Sequence, residues 1–220
     1  MRSKKNFIVA ISAAALLAVL AVGGVYAYLT YTAQVTNTFT VGNVTATLTE
    51  PAWTGAEDGA HENIYPGQSF DKDPTVTMAE GSNPAVVFIE VTYPVKEVIT
   101  IGSDGKKKAA ADTQLFTPGT LGEGWIELSD YESSGEGAVT KVYGFDDELE
   151  AGSSATLFDT VTFANVAEGQ IVDDVNIVVR ADVIQAGGME KAGEKFTAAE
   201  LGSVYDMFVA QNSSDASGTD

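Results

Sequence analysis

Apolar and polar positions divide the chain into a charge-free opening run, a long stretch of two-residue alternation and one late helical segment. Phe7 to Val22 carries no charged residue, and Gly23-Gly24 interrupts the run before Val25-Tyr26-Ala27-Tyr28. Period-two alternation, the mark of a half-buried strand, dominates the chain after Ala27. Residues 38–41 and 44–49 alternate apolar side chains with threonine until Glu50-Pro51 ends the run. Residues 75–78 alternate again, and Ser82-Asn83-Pro84 breaks them. Residues 85–93 are the longest β-rich run and read as a central strand. Further strand candidates are 98–101, 125–128, 138–145, 156–163 and 175–184. In Ile64-Tyr65-Pro66-Gly67-Gln68 the proline presets one corner of a turn and the glycine supplies positive φ. Gly102-Ser103-Asp104-Gly105 before three lysines signals a solvated loop, which Leu115 to Gly119 closes.

About nine short strands without β–α alternation predict an all-β fold, an antiparallel β-sandwich that is jelly-roll-like. One short C-terminal helix is added. Thr197-Ala198-Ala199-Glu200 fits a capping box, in which threonine and glutamate each satisfy an orphan backbone N–H. Leu201, Val204, Tyr205 and Phe208 then fall on one face, so the helix docks on the sandwich. The expected organisation is a leader over 1–27, an N-terminal strand over 28–36, the sandwich over 37–187, a loop and docking helix over 188–211, and a disordered polar tail over 212–220.

Charge gives the opening run its meaning. Arg2, Lys4 and Lys5 precede it, and small residues lead out of it, which is the build of a secretory signal peptide. Cleavage is expected after Ala27, with Val25 and Ala27 at the positions a signal peptidase reads and Tyr28 as the new N-terminus. A retained anchor is the alternative, since the run through Tyr28 is long enough to span a bilayer. The leader holds three of the 12 basic residues and none of the 31 acidic ones. Nine basic against 31 acidic side chains remain, a formal charge of −22 over about 190 residues. Such a surface repels nucleic acid and anionic lipid, so neither is an expected partner, and membrane contact is expected only through an uncleaved leader. Without cysteine there is no disulfide framework, zinc-thiolate site or thiol nucleophile.

Catalytic chemistry finds little support in these residues. A zinc peptidase commonly sets two histidines one helical turn apart with a glutamate base between them. Here His61 is the sole histidine, in a Gly/Pro-flanked stretch, and a Ser-His-Asp arrangement would depend on the same residue. Carboxylate pairs such as Asp146-Asp147 and Asp173-Asp174 are expected by chance in so acidic a chain. No catalytic residue, cofactor or metal ligand is assigned, and weak binding of extracellular Ca²⁺ by hard oxygen ligands is the ion chemistry left open. Trp53 and Trp125 are read as packing aromatics rather than a sugar platform.

Residues 28–36, Tyr-Leu-Thr-Tyr-Thr-Ala-Gln-Val-Thr, are nine β-prone residues without a charged side chain. Tyr28, Leu29, Tyr31 and Val35 mark them as a candidate donor strand. The segment either pairs with its own sandwich or adds to the sheet of the next subunit, and the second arrangement grows a filament.

The leader ending Gly23-Gly24-Val25-Tyr26-Ala27-Tyr28, followed by Asn37-Thr38-Phe39-Thr40-Val41-Gly42-Asn43-Val44, resembles the TasA/camelysin family of secreted Gram-positive proteins processed by a SipW-type signal peptidase. Ile64 to Gln68, Lys72-Asp73 and Asn83-Pro84-Ala85 match the next block. Leu157 to Phe163 and Ile184-Gln185-Ala186 resemble the C-terminal blocks. The resemblance implies a jelly-roll-like sandwich, export, and a role in cell-surface or biofilm-matrix fibres built by N-terminal strand addition, with self-assembly and other matrix or surface proteins as partners. A monomeric surface adhesin or binding module is the alternative. A camelysin-type metallopeptidase is the third reading, and the expectation is a protein that is not an enzyme.

Overall fold

The structure is a computed structural model that describes residues 30–34, 39–41, 44–53, 64–135, 137–170, 175–189 and 191–215. Its strands are β1 (Thr30–Gln34), β2 (Phe39–Val41), β3 (Val44–Thr49), β4 (Ser69–Asp71), β5 (Thr75–Met78), β6 (Ala85–Val98) and β7 (Ala111–Gln114). They continue with β8 (Phe116–Pro118), β9 (Trp125–Glu127), β10 (Ser133–Gly135), β11 (Ala138–Phe145), β12 (Ser154–Thr156), β13 (Thr160–Phe163) and β14 (Val178–Gln185). A helix, α1 (Ala198–Asp215), comes last.

The first sheet runs β1-β14-β6-β11-β10, with β7 added to β6 and β9 to β11. Every described pairing in the fold is antiparallel. The opposing layer is built from β12-β5-β3-β2 and β4-β13-β8. These two ladders continue one another. Lys72 N–H donates to Asp159 O (3.0 Å) and Leu157 N–H to Pro74 O (2.9 Å), which carries the register across the break without a slip. Pro74 has no N–H to give, so the regular ladder stops there although the chain direction does not.

Alternation explains the two faces. Val87, Ile89, Val91 and Tyr93 of β6 and Val179, Ala181 and Val183 of β14 point into the sandwich, where they meet Val44, Ala46, Leu48, Phe70, Val76, Met78 and Val161. The threonines and serines between them pair as hydroxyls across strands: Ser69 with Thr162, Thr75 with Thr156, and Thr77 with Ser154, at 2.8, 2.9 and 2.8 Å. A second apolar cluster lies on the other face of the first sheet. There Val86, Phe88, Val142 and Ile184 are covered by Phe196, Leu201, Val204, Tyr205 and Phe208.

The helix begins as its residues require. Thr197 N–H donates to Glu200 Oε2 (2.8 Å), Glu200 N–H donates to Thr197 Oγ1 (3.3 Å), and the other glutamate oxygen accepts from Ala192 N–H (2.7 Å). Lys191 and Lys195 tie the preceding loop to Asp147 and Asp146.

Several sequence expectations are corrected. The central strand does not stop at Tyr93; it passes through Pro94 to Val98, because β7 pairs with Val95–Val98 beyond the point where the β14 and β11 ladders end. Residues 98–101 therefore form no separate strand, and Thr100 and Ile101 make isolated bridges. The single strand expected over 156–163 is two, β12 and β13, divided opposite Pro74. The Lys-rich loop and its closure contain β7 and β8. The helix runs to Asp215 rather than ending near Gln211, since extending a formed helix costs far less than starting one.

Candidate functional site

The edge of the first sheet is the most distinctive surface of the fold. The β-branched residues Val178, Val179, Val183 and Ile184 favour an extended backbone in β14. On one side β14 pairs with β6 over eight residues, from Val178↔Thr92 to Gln185↔Ala85. On its other side it pairs with β1, in the register Thr30↔Ile184, Tyr31↔Val183, Thr32↔Asp182, Ala33↔Ala181 and Gln34↔Arg180. β1 is thus an uncharged terminal strand of five residues whose described sheet partner is β14 alone. Without it, β14 would present a row of unpaired N–H and C=O groups.

The helix-facing side of β14 carries charge. Arg180 Nη2 donates to the fully buried Asp182 at 2.9 Å, and Arg180 Nη1 lies 3.3 Å from Glu90 Oε2. Tyr205 of α1 donates its hydroxyl to the other Glu90 oxygen at 2.5 Å, and Arg180 sits 6.0 Å from the Phe208 ring centre. Burial, then the hydrogen bond and charge of Glu90, push the Tyr205 hydroxyl well above its ordinary range. It therefore stays a donor at every physiological pH. The cluster fastens α1 across β6 and β14 rather than opening a reactive cleft.

Of the residues singled out from sequence, Tyr31 lies in β1 opposite Val183. Val25, Ala27, Tyr28, Leu29, Val35 and His61 lie outside the described residues. Trp125 is buried with its ring 5.3 Å from Phe145, and Trp53 carries the Lys72 ammonium 4.8 Å above its face. The family-like blocks occupy structural corners. In the Pro66-Gly67 turn Gly67 has φ 77°, Gln68 N–H donates to Tyr65 O (3.1 Å), and the Gln68 side chain accepts from Tyr65 N–H (3.0 Å). Lys72 is buried and pairs with Glu50 at 2.6 Å, while Asp73 accepts from Ala52 N–H at 2.8 Å.

The glycine loop before β9 packs on the β12–β13 ribbon. Gly122 N–H donates to Leu157 O (2.8 Å), and a side chain at Gly122 would collide with the Thr156 carbonyl. A groove of about 390 Å³ lies between residues 128–131 and α1, lined by Glu127, Asp130, Tyr131, Gly202, Ser203 and Asp206. It offers carboxylates and hydroxyls but no histidine.

Sequence reasoning missed the Glu90–Arg180–Asp182–Tyr205 cluster. Its signal was present: two charges spaced by two within an otherwise apolar strand, and one glutamate inside the longest apolar run.

The model of the camelysin metallo-endopeptidase family matches residues 2–108, just under half of the chain. No curated protein and no solved structure matches it. The family description implies a metal, yet no three His, Cys, Asp or Glu side chains come together as ligands among the described residues, and the chain has one histidine and no cysteine. The donor set does not fit a peptidase zinc site. Among the described residues no helix is long and apolar enough to cross a membrane. Over residues 2–108 the chain is similar to the camelysin family, the family that includes TasA.

Proposed function

We propose that this is a secreted, non-enzymatic structural protein, a subunit of cell-surface or biofilm-matrix fibres. Subunits join when β1, within the candidate donor segment from Tyr28 to Thr36, leaves its own β14 and pairs with β14 of the next copy. The observation that supports this reading is the position of β1: uncharged, terminal in the sheet, and paired over its whole length with β14. The register is the same whether donor and acceptor belong to one chain or two, so exchange costs no native pairing once both ends are engaged. The contact is heterologous and does not close on itself, hence a filament. Other matrix or surface proteins would dock on such fibres, and no catalytic role is assigned.

A protein beginning at Tyr28 and one beginning at Asn37 test the reading by gel filtration and negative-stain electron microscopy. Filaments from the first and monomers from the second are expected. Monomers from both would overturn self-assembly and leave the second reading, a monomeric surface module, which the pairing of β1 with β14 within one chain favours.

A further inference from the structure

Positive charge is segregated in this protein. Of the nine basic residues after Lys5, five are neutralised where they stand: Lys72 by Glu50, Lys141 by Glu127, Arg180 by Asp182, Lys191 by Asp147 and Lys195 by Asp146, all between 2.6 and 2.9 Å. The remaining four, Lys96, Lys106, Lys107 and Lys108, all lie on the arm formed by the end of β6, β7 and the hairpin between them. Asp104 approaches Lys106 only to 4.0 Å, with both side chains largely in solvent, and such a pair neutralises little.

The three consecutive lysines stand on a hydrogen-bonded hairpin within the solvated loop their sequence suggested. Gly102 N–H donates to Lys106 O and Lys108 N–H to Thr100 O, each at 2.9 Å. Gly105, at φ 74°, closes the turn, and Asp104 Oδ1 accepts from Lys106 N–H at 3.1 Å. The base is stitched to the chain after β13: Ile101 N–H to Asn165 O (2.8 Å), Asn165 Nδ2 to Ile101 O (3.2 Å), and Ala167 N–H to Ile99 O (2.7 Å). Residues 103–110 are exposed throughout. A hydrogen-bonded hairpin tip carrying three ammonium groups, one of them 4.0 Å from the exposed Asp104, therefore projects from a protein whose formal charge is −19.

We infer that the lysine hairpin is a docking surface for the acidic body of a second copy of the chain. The argument is charge complementarity. The counter-charge the tip lacks is present in excess on the rest of the molecule, and a preformed tip loses little backbone freedom on contact. The field between tip and body orients approaching copies so that tip meets body and body repels body. The contact uses neither β1 nor β14 and so stands apart from strand addition.

Zero-length carbodiimide coupling, which joins an ammonium to a carboxylate in direct contact, tests this on the processed protein. Equal parts of ¹⁴N and ¹⁵N protein are mixed so that links between copies carry mixed isotopes. Mixed-isotope links from Lys106, Lys107 or Lys108 are expected, with yield falling about fivefold or more between roughly 20 and 300 mM NaCl as the screening length contracts. Because glutamine cannot couple, the K106Q/K107Q/K108Q variant, with unchanged circular dichroism, is read by sedimentation at about 20 mM NaCl, where it is expected to lose the association between copies that K106R/K107R/K108R keeps, and Thr32→Pro in β1 is expected to keep the links even where it abolishes filaments. Absence of mixed links overturns the inference, as does a yield indifferent to salt or an association between copies indifferent to the triple glutamine substitution. A triple glutamine variant that loses adsorption to polyphosphate resin but retains the association between copies would overturn it too, in favour of an anionic polymer as partner.

Discussion

Lys72→Met tests whether the corner between β3 and β5 is held by a buried ion pair. Lys72 Nζ lies 2.6 Å from Glu50 Oε1, with the two side chains only 5% and 11% exposed, and 4.8 Å from the centre of the Trp53 ring. Methionine keeps the length of the stem and removes the charge, leaving the Glu50 carboxylate in a dry site. Breaking a buried pair by removing one partner costs about 3–5 kcal/mol, because the remaining charge is uncompensated. With a urea slope of about 2 kcal/mol/M, the unfolding midpoint should fall by about 1.5–2.5 M. Trp53 fluorescence provides a local probe and circular dichroism a global one. Adding Glu50→Gln removes the stranded charge, so the double variant should recover at least about 2 kcal/mol of the single variant's loss. The reasoning is refuted if Lys72→Met costs under about 1 kcal/mol, or if the two substitutions simply add.

Three further outcomes are expected. Leu201→Ala, at a fully buried position of α1 between Phe88 and Gly144, should destabilise by about 2–5 kcal/mol in equilibrium denaturation. Gly122→Ala should lower the melting temperature, by a cost of about 1–3 kcal/mol, because the new methyl group meets the Thr156 backbone carbonyl rather than a movable side chain. Glu200 is held below its ordinary carboxylate range by the backbone N–H groups of Thr197 and Ala192. A depressed folded-state value means that its contribution is present above the ordinary carboxylate pKa and is lost as pH falls through the lowered one. Amide exchange in the first turn of α1 should therefore accelerate on acidification, and Glu200→Gln should abolish that dependence.

Where pattern and packing agree, the fold was legible. Residues 44–49, 75–78 and 138–145 are strands with the bounds their alternation suggests, because one side of each faces a single core. The capping box was equally readable, being local by nature. The break between β12 and β13 was read over, although adjacent apolar Leu157 and Phe158 followed by Asp159 and Thr160 interrupt the alternation there, opposite Pro74 on the facing strand. β4, β7, β8 and β10 are three or four residues long, too short for a period to show. Tertiary pairings such as Lys72 with Glu50 leave no local trace. The lysine run was visible as charge, but the Asn165 and Ala167 stitches that stiffen it come from about 60 residues away.

The extent of the family match bears on how strand addition would be specified. Residues 2–108 contain β1, the corner blocks around Lys72, and β6, whereas β14 and α1 lie beyond them. On the proposed reading, the donor thus belongs to the segment that is similar to the camelysin family and the acceptor to the segment beyond it. A donor of five uncharged residues carries little information of its own, since backbone pairing is indifferent to side chains. Discrimination between copies of this chain and other strands must come from the acceptor, where β14 offers small and β-branched residues toward the sandwich and Arg180 and Asp182 toward the helix. Substitutions on β14 should therefore alter which strands are accepted, while substitutions on β1 that keep it uncharged and extended should alter how tightly they are held.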